Sequence, residues 1–172
     1  YVETGLNELR MSNYRRILSL DSAMVVVQFD KDGVQYQRKY FISYPDSVMV
    51  MKFTANQSGK QNLILSYCPN SEAKSNLRAD GKDGLVYTGV LDNNGMKFAF
   101  RIKAIHKGGT LEAENDRLIV KGADEVVFLL TADTDYKMNF NPDFKDPKTY
   151  VGNDPEQTTR IMMDQAVQKG YD

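Results

Sequence analysis

A chain of 172 residues, 41% of them hydrophobic, is long enough for one domain with a full core, because a domain of about 150 residues buries roughly 70% of its unfolded surface. With 22 Lys and Arg against 23 Asp and Glu, the formal charge is -1, which gives no basic footprint for nucleic acid. No run nears the 18 or so apolar residues of a membrane helix, and one cysteine, Cys68, with one histidine, His106, can build neither an internal disulfide nor a zinc site.

The chain starts at Tyr1 without a cleavable leader pattern, as expected of a piece of a longer protein. Residues 24–29 and 34–43 are two β-rich runs around Asp32-Gly33, a pair that tolerates the positive φ of a hairpin turn. In the second run Val34, Tyr36, Arg38, Tyr40 and Ile42 share one face, and Gln35, Gln37, Lys39, Phe41 and Ser43 share the other. The first face reads as core, with Arg38 pairing near the sandwich edge. That reading is favoured over a platform for stacking sugars or bases, since half-buried strands recruit aromatic and β-branched residues. Pro45 turns the chain before a third strand, 48–54, and a polar turn leads to 62–67.

Residues 69–84 are polar and glycine-rich without periodicity, which predicts a long exposed loop. A strand at 85–91 and the turn "DNNG" precede the clearest alternation in the chain. There Met96, Phe98, Phe100, Ile102 and Ala104 form an apolar face, and Lys97, Arg101 and Lys103 form a solvent face. Short strands at 111–113, 118–121 and 125–131 complete an all-β, antiparallel β-sandwich. The proline-rich stretch 141–155 reads as a surface linker. A helix then starts with Asp154 as N-cap, Pro155 at the first position and Gln157 completing a capping box. Its stripe of Thr159, Met162, Met163 and Ala166 is expected to pack on something beyond the chain.

Chemistry is sparse. His106 has no nucleophile motif to activate and reads as a turn residue. Asp133, Asp135 and Asp143 are where a structural metal would be sought, but their spacing is not that of a calcium loop. No glycine-rich phosphate loop follows a strand. No catalytic, cofactor-binding or metal residue is nominated, and no cofactor is expected.

Three segments and the final helix carry a resemblance. Tyr14, Arg15, Arg16, Leu18 and Leu20, followed by Tyr36, Arg38, Phe41, Ser43, Pro45, Asp46 and Val48, are similar to the N-terminal β-domain of glycoside hydrolase family 95, the α-L-fucosidases and their relatives. Residues 122–136 resemble the segment closing that domain, and the helix from Asp154 resembles the start of its linker. The resemblance implies a super-sandwich whose early part precedes Tyr1, occupying 1–138, then a loop linker at 139–154 and a linker helix at 155–172. It further implies an inverting (α/α)6 catalytic barrel downstream, acting on terminal α-L-fucosides or α-L-galactosides, in the periplasm or outside the cell. The alternative is a self-sufficient carbohydrate-binding β-sandwich module, with an oligosaccharide as partner in either case.

Overall fold

The computed structural model describes residues 2–4, 11–67, 73–114, 116–146 and 148–171. Its architecture is a sandwich of two antiparallel sheets closed on one outer side by a helix. The strands are β1 (Val2–Glu3), β2 (Ser12–Ser19), β3 (Met24–Lys31), β4 (Val34–Ser43), β5 (Val48–Ala55), β6 (Gln61–Ser66), β7 (Ala73–Ala79), β8 (Gly84–Leu91), β9 (Lys97–Lys107), β10 (Thr110–Ala113), β11 (Arg117–Ala123) and β12 (Glu125–Thr134). They form an eight-stranded sheet, β2-β3-β4-β5-β12-β9-β8-β7, and a four-stranded sheet, β1-β6-β11-β10. Helix α1 (Pro155–Lys169) lies on the large sheet.

Turn chemistry sets the hairpins. Asp32 and Gly33 both take positive φ, 50° and 75°, and join β3 to β4 with Lys31 opposite Val34, the geometry a two-residue turn needs to follow strand twist. At the β9–β10 turn, Gly109 has φ 64°, and a Cβ there would lie 2.3 Å from the carbonyl oxygen of Lys121.

The main core lies between the sheets. Phe53, Leu85, Ala104, Val126 and Phe128 of the large sheet face Leu63, Leu65, Leu118 and Val120 of the small one. A second core lies on the opposite face of the same strands, where Val48, Val50, Val127 and Leu129 meet Met163 and Ala166 of α1. β12 is therefore covered on both sides, which explains its unbroken apolar run 126–130.

Four expectations change. The predicted loop 69–84 contains β7, whose mostly polar residues read as loop because β7 is the sheet edge and, among the described residues, pairs only with β8. Arg101, placed on a solvent face by alternation, is 2% exposed, because that face of β9 lies in the layer that α1 covers. The stripe on α1 packs on this domain's own sheet, burying Thr159, Met163 and Ala166 and half-burying Met162. Ile42, assigned to the core face, is 70% exposed, since it sits at the far end of β4 beside the Pro45 corner.

Candidate functional site

The residues that sequence chemistry singled out each make local contacts. His106 lies near the end of β9, and its Nδ1–H donates to the carbonyl of Gly108 at 2.8 Å, bracing the turn. Asp133 accepts from the backbone N–H of Thr134 at 2.8 Å and Asp143 from that of Lys145 at 3.0 Å. Asp135 is buried and accepts from the backbone N–H of Lys97 at 2.9 Å. Each carboxylate thus closes its own turn or strand end, and among the described residues no three His, Cys, Asp or Glu side chains cluster to hold a metal. Cys68 lies outside the described residues.

The segment 36–48 serves both faces of the large sheet. Phe41, Ser43, Asp46 and Val48 point to the outer face and seat the end of α1. There Lys169 Nζ reaches both oxygens of Asp46 at 2.8 and 2.9 Å, and Ser43 donates to the same carboxylate at 2.5 Å. These bonds, Lys169 first and then Ser43, hold the Asp46 carboxyl below its ordinary value of 3.8. Tyr171 lies 6.1 Å from Phe41, ring to ring, and Lys52 Nζ sits 4.1 Å above the Tyr171 ring. Lys52 also pairs with Glu125 at 2.8 Å. Burial would raise the Glu125 carboxyl, but hydrogen bonds from Lys52 and Lys107 outweigh it and leave the group below its ordinary range. At the other end of the helix, Asp154 caps the backbone N–H of Glu156 at 3.1 Å, and Arg78 of β7 grips Glu156 at 2.5 Å. The helix is fixed at both ends and in the middle.

Tyr36 and Arg38 point the other way. Tyr36 is buried and stacks on Phe29 at 5.2 Å. The Arg38 guanidinium lies 5.0 Å from the Phe29 ring centre and 5.8 Å from that of Phe53, so the expected edge pairing is instead cation–π packing. Beyond them the large sheet outruns the small one and leaves an open cleft of about 700 Å³. Its floor is Val25, Val27 and Phe29, and its rim carries Tyr14, Arg16, Arg38 and Tyr40. Burial pushes the Tyr40 hydroxyl up, while the adjacent Arg38, hydrogen-bonded to it, pulls the other way. Alternation along β4 placed Arg38 and Tyr40 on this face. What it missed is that among the described residues only the short strand β1 of the small sheet reaches this end of the cleft, where Val2 lines it, a fact of topology rather than of local pattern.

A family model described as "Glycosyl hydrolase family 65, N-terminal domain" matches residues 2–139. Among curated proteins, "Probable alpha-fucosidase A" of Aspergillus niger is 27% identical over 171 residues, covering 94% of this chain and 21% of that protein. "Alpha-L-fucosidase 2" of Arabidopsis thaliana is 24% identical over 147 residues, covering 73% of this chain and 17% of that protein. A solved structure named "Putative kojibiose phosphorylase from human microbiome" superposes with a TM-score of 0.62 at 9% identity, over 98% of this chain and 24% of that one, a likeness of fold. The chain spans about a fifth of the length of the curated relatives it matches. The matching model is that of family 65, not the family 95 domain that the motifs resemble.

Proposed function

The chain belongs to the family described as glycosyl hydrolase family 65, N-terminal domain, and from that membership we propose that it is the noncatalytic β-sandwich of an enzyme resembling α-L-fucosidase. In this proposal the sandwich occupies 1–138, the linker 139–154 and the linker helix 155–172, and an (α/α)6 barrel of the same polypeptide carries the catalysis. That barrel hydrolyses terminal α-L-fucosides or α-L-galactosides with inversion, which requires a carboxylic acid on the leaving-group side and a water-activating group opposite it. The two fucosidase-named relatives support the substrate class, and the periplasm or the cell exterior is the location proposed with it. No residue of this chain is assigned to the reaction.

One observation carries the scaffold reading. The segment after β12 is tied down, with Tyr136 bridged to Val151, Asn139 donating to Thr149 and Gly152 donating to Asp135. Yet it presents Met138, Phe140 and Phe144 to solvent at 58%, 94% and 88% exposure. A pinned segment that displays large apolar side chains is what an adjoining module covers. Assay of the chain alone and of a longer polypeptide carrying it, on an aryl α-L-fucoside, tests this. Turnover is expected only from the longer protein; turnover by the chain alone would refute the placement of catalysis elsewhere.

A second reading, a self-sufficient carbohydrate-binding β-sandwich, is favoured by the open cleft on β2–β4. Saturable binding of fucosylated oligosaccharides by the isolated chain would support it, and absence of binding heat at millimolar sugar would remove it.

A further inference from the structure

The cleft has a one-sided hydrogen-bonding character. Among the described lining residues the guanidinium groups of Arg16 and Arg38 supply donors, and none of them carries a carboxylate or amide side chain to accept. Neutral sugars offer hydroxyl groups that need acceptors as well as donors, and the acceptors among the described lining side chains are the hydroxyls of Thr4, Tyr14 and Tyr40. A ligand suited to it brings its own acceptor. Among the described residues, neither Arg16 nor Arg38 has a carboxylate partner.

Register places the two cations in one cross-strand row, Arg16 opposite Val27 and Val27 opposite Arg38. Their strands are thus two sheet spacings apart, about 10 Å, with an apolar floor between. Arg38 is already oriented by Phe29, Phe53 and the Tyr40 hydroxyl, so little side-chain freedom remains to be lost on binding. Arg16 on the edge strand β2 is exposed and reaches the same space. A volume of about 700 Å³ is within the range of small-molecule clefts. Val25 and Val27, both half-buried, offer a surface for the C–H face of a pyranose ring.

We propose that this cleft binds an acidic sugar residue of a glycan, with the carboxylate of a uronic acid held by Arg16 and Arg38 and the ring lying on the Val25–Val27 floor. The proposal rests on the reading that the chain belongs to a glycan-processing enzyme. It adds a binding site on the sandwich itself and a ligand chemistry, anionic rather than neutral.

Calorimetric titration of the chain with a trigalacturonate, a matched neutral galactotriose and inorganic sulfate tests it, with Arg16→Ala and Arg16→Lys as variants. Arg16 is exposed, so both variants are expected to melt as the parent does. Expected are saturable binding of the trigalacturonate that weakens as salt rises, at least tenfold weaker binding to the neutral trisaccharide and to sulfate, and at least tenfold loss in Arg16→Ala. Arg16→Lys, which keeps the charge but not the fork, falls between. No saturable trigalacturonate binding at millimolar concentration would overturn the proposal. So would equal affinity for the neutral sugar, equal affinity for sulfate, or unchanged binding in Arg16→Ala. The fucoside assay reads the enzyme assignment independently, so a silent cleft in an active longer protein sinks only the cleft.

Discussion

Replacing Met163 by alanine tests whether α1 is a packed layer of the domain or merely rests on it. Met163 is 2% exposed and belongs to the cluster with Val48, Val50, Val127, Leu129 and Ala166. Truncating a buried methionine to alanine costs about 2–5 kcal/mol, the upper end applying where the cavity cannot collapse. Here one wall is a helix that can settle toward the sheet, so about 3 kcal/mol is expected. In a domain of this size each kcal/mol lowers Tm by roughly 2–4 °C, which puts the shift near 6–12 °C. If the helix opens before the sandwich melts, the same energy appears instead as amide exchange in α1 faster by about two orders of magnitude. Differential scanning calorimetry and hydrogen exchange together cover both routes. Met162→Ala serves as the internal comparison, being only half-buried, and is expected to lose less than about 1 kcal/mol. Equal losses in the two variants, or no change of Tm or exchange in Met163→Ala, would refute the seating of α1 on β5 and β12.

Three further outcomes follow from single contacts. Gly109→Ala combines a left-handed φ of 64° with a Cβ placed 2.3 Å from the Lys121 carbonyl oxygen, so a loss of at least about 2 kcal/mol is expected by urea denaturation; a loss under about 0.5 kcal/mol would show that the β9–β10 turn is built differently. Asp46 titrates below its ordinary 3.8 when folded, so its contribution is present above that value and is lost as pH falls through the lower folded value. Acid titration followed by NMR of residues 166–171 is expected to show α1 loosening in that window, and Lys169→Met to remove most of the effect; identical acid profiles would refute the Asp46–Lys169 latch. Arg101→Met removes a buried cation whose Nη1 donates to Asp80 but whose Nε and Nη2 find no partner among the described residues. Because Asp80 keeps about a third of its side-chain surface in water, the variant is expected to be neutral or more stable by about 1 kcal/mol, and a loss above about 2 kcal/mol by urea denaturation would show that the pair stabilises.

The sequence made visible what depends on neighbours along the chain. The Asp32-Gly33 hairpin, the Pro45 corner and the Asp154 cap are local events, and alternation placed Tyr36 in the core. What stayed hidden depends on which layer lies above a strand. Arg101 alternates with apolar residues as a solvent-facing cation would, and only the return of α1 across β9 buries it. Phe41 and Ser43 looked solvent-facing for the same reason. β7 escaped because an edge strand with one neighbour needs little apolar surface, so its composition matches that of a loop. The cleft was illegible because Arg16 and Arg38 are 22 positions apart in the chain and share a row only through the β3 register. One signal for the second core was present, the run 126–130 without a polar residue.

That run has a consequence for folding fidelity. A strand with one oily face is indexed by its own pattern, since a slip of one residue would turn its greasy side to water. β12 has no such index, because Val126 and Phe128 serve one core and Val127 and Leu129 serve the other. Its alignment must come from polar pegs at its ends. Glu125 is clamped by Lys52 and Lys107, and the Thr131 hydroxyl donates to the carbonyl of Thr159 inside the second core. Removing both pegs would leave the central strand free to seat one notch over, trading cores without exposing oil.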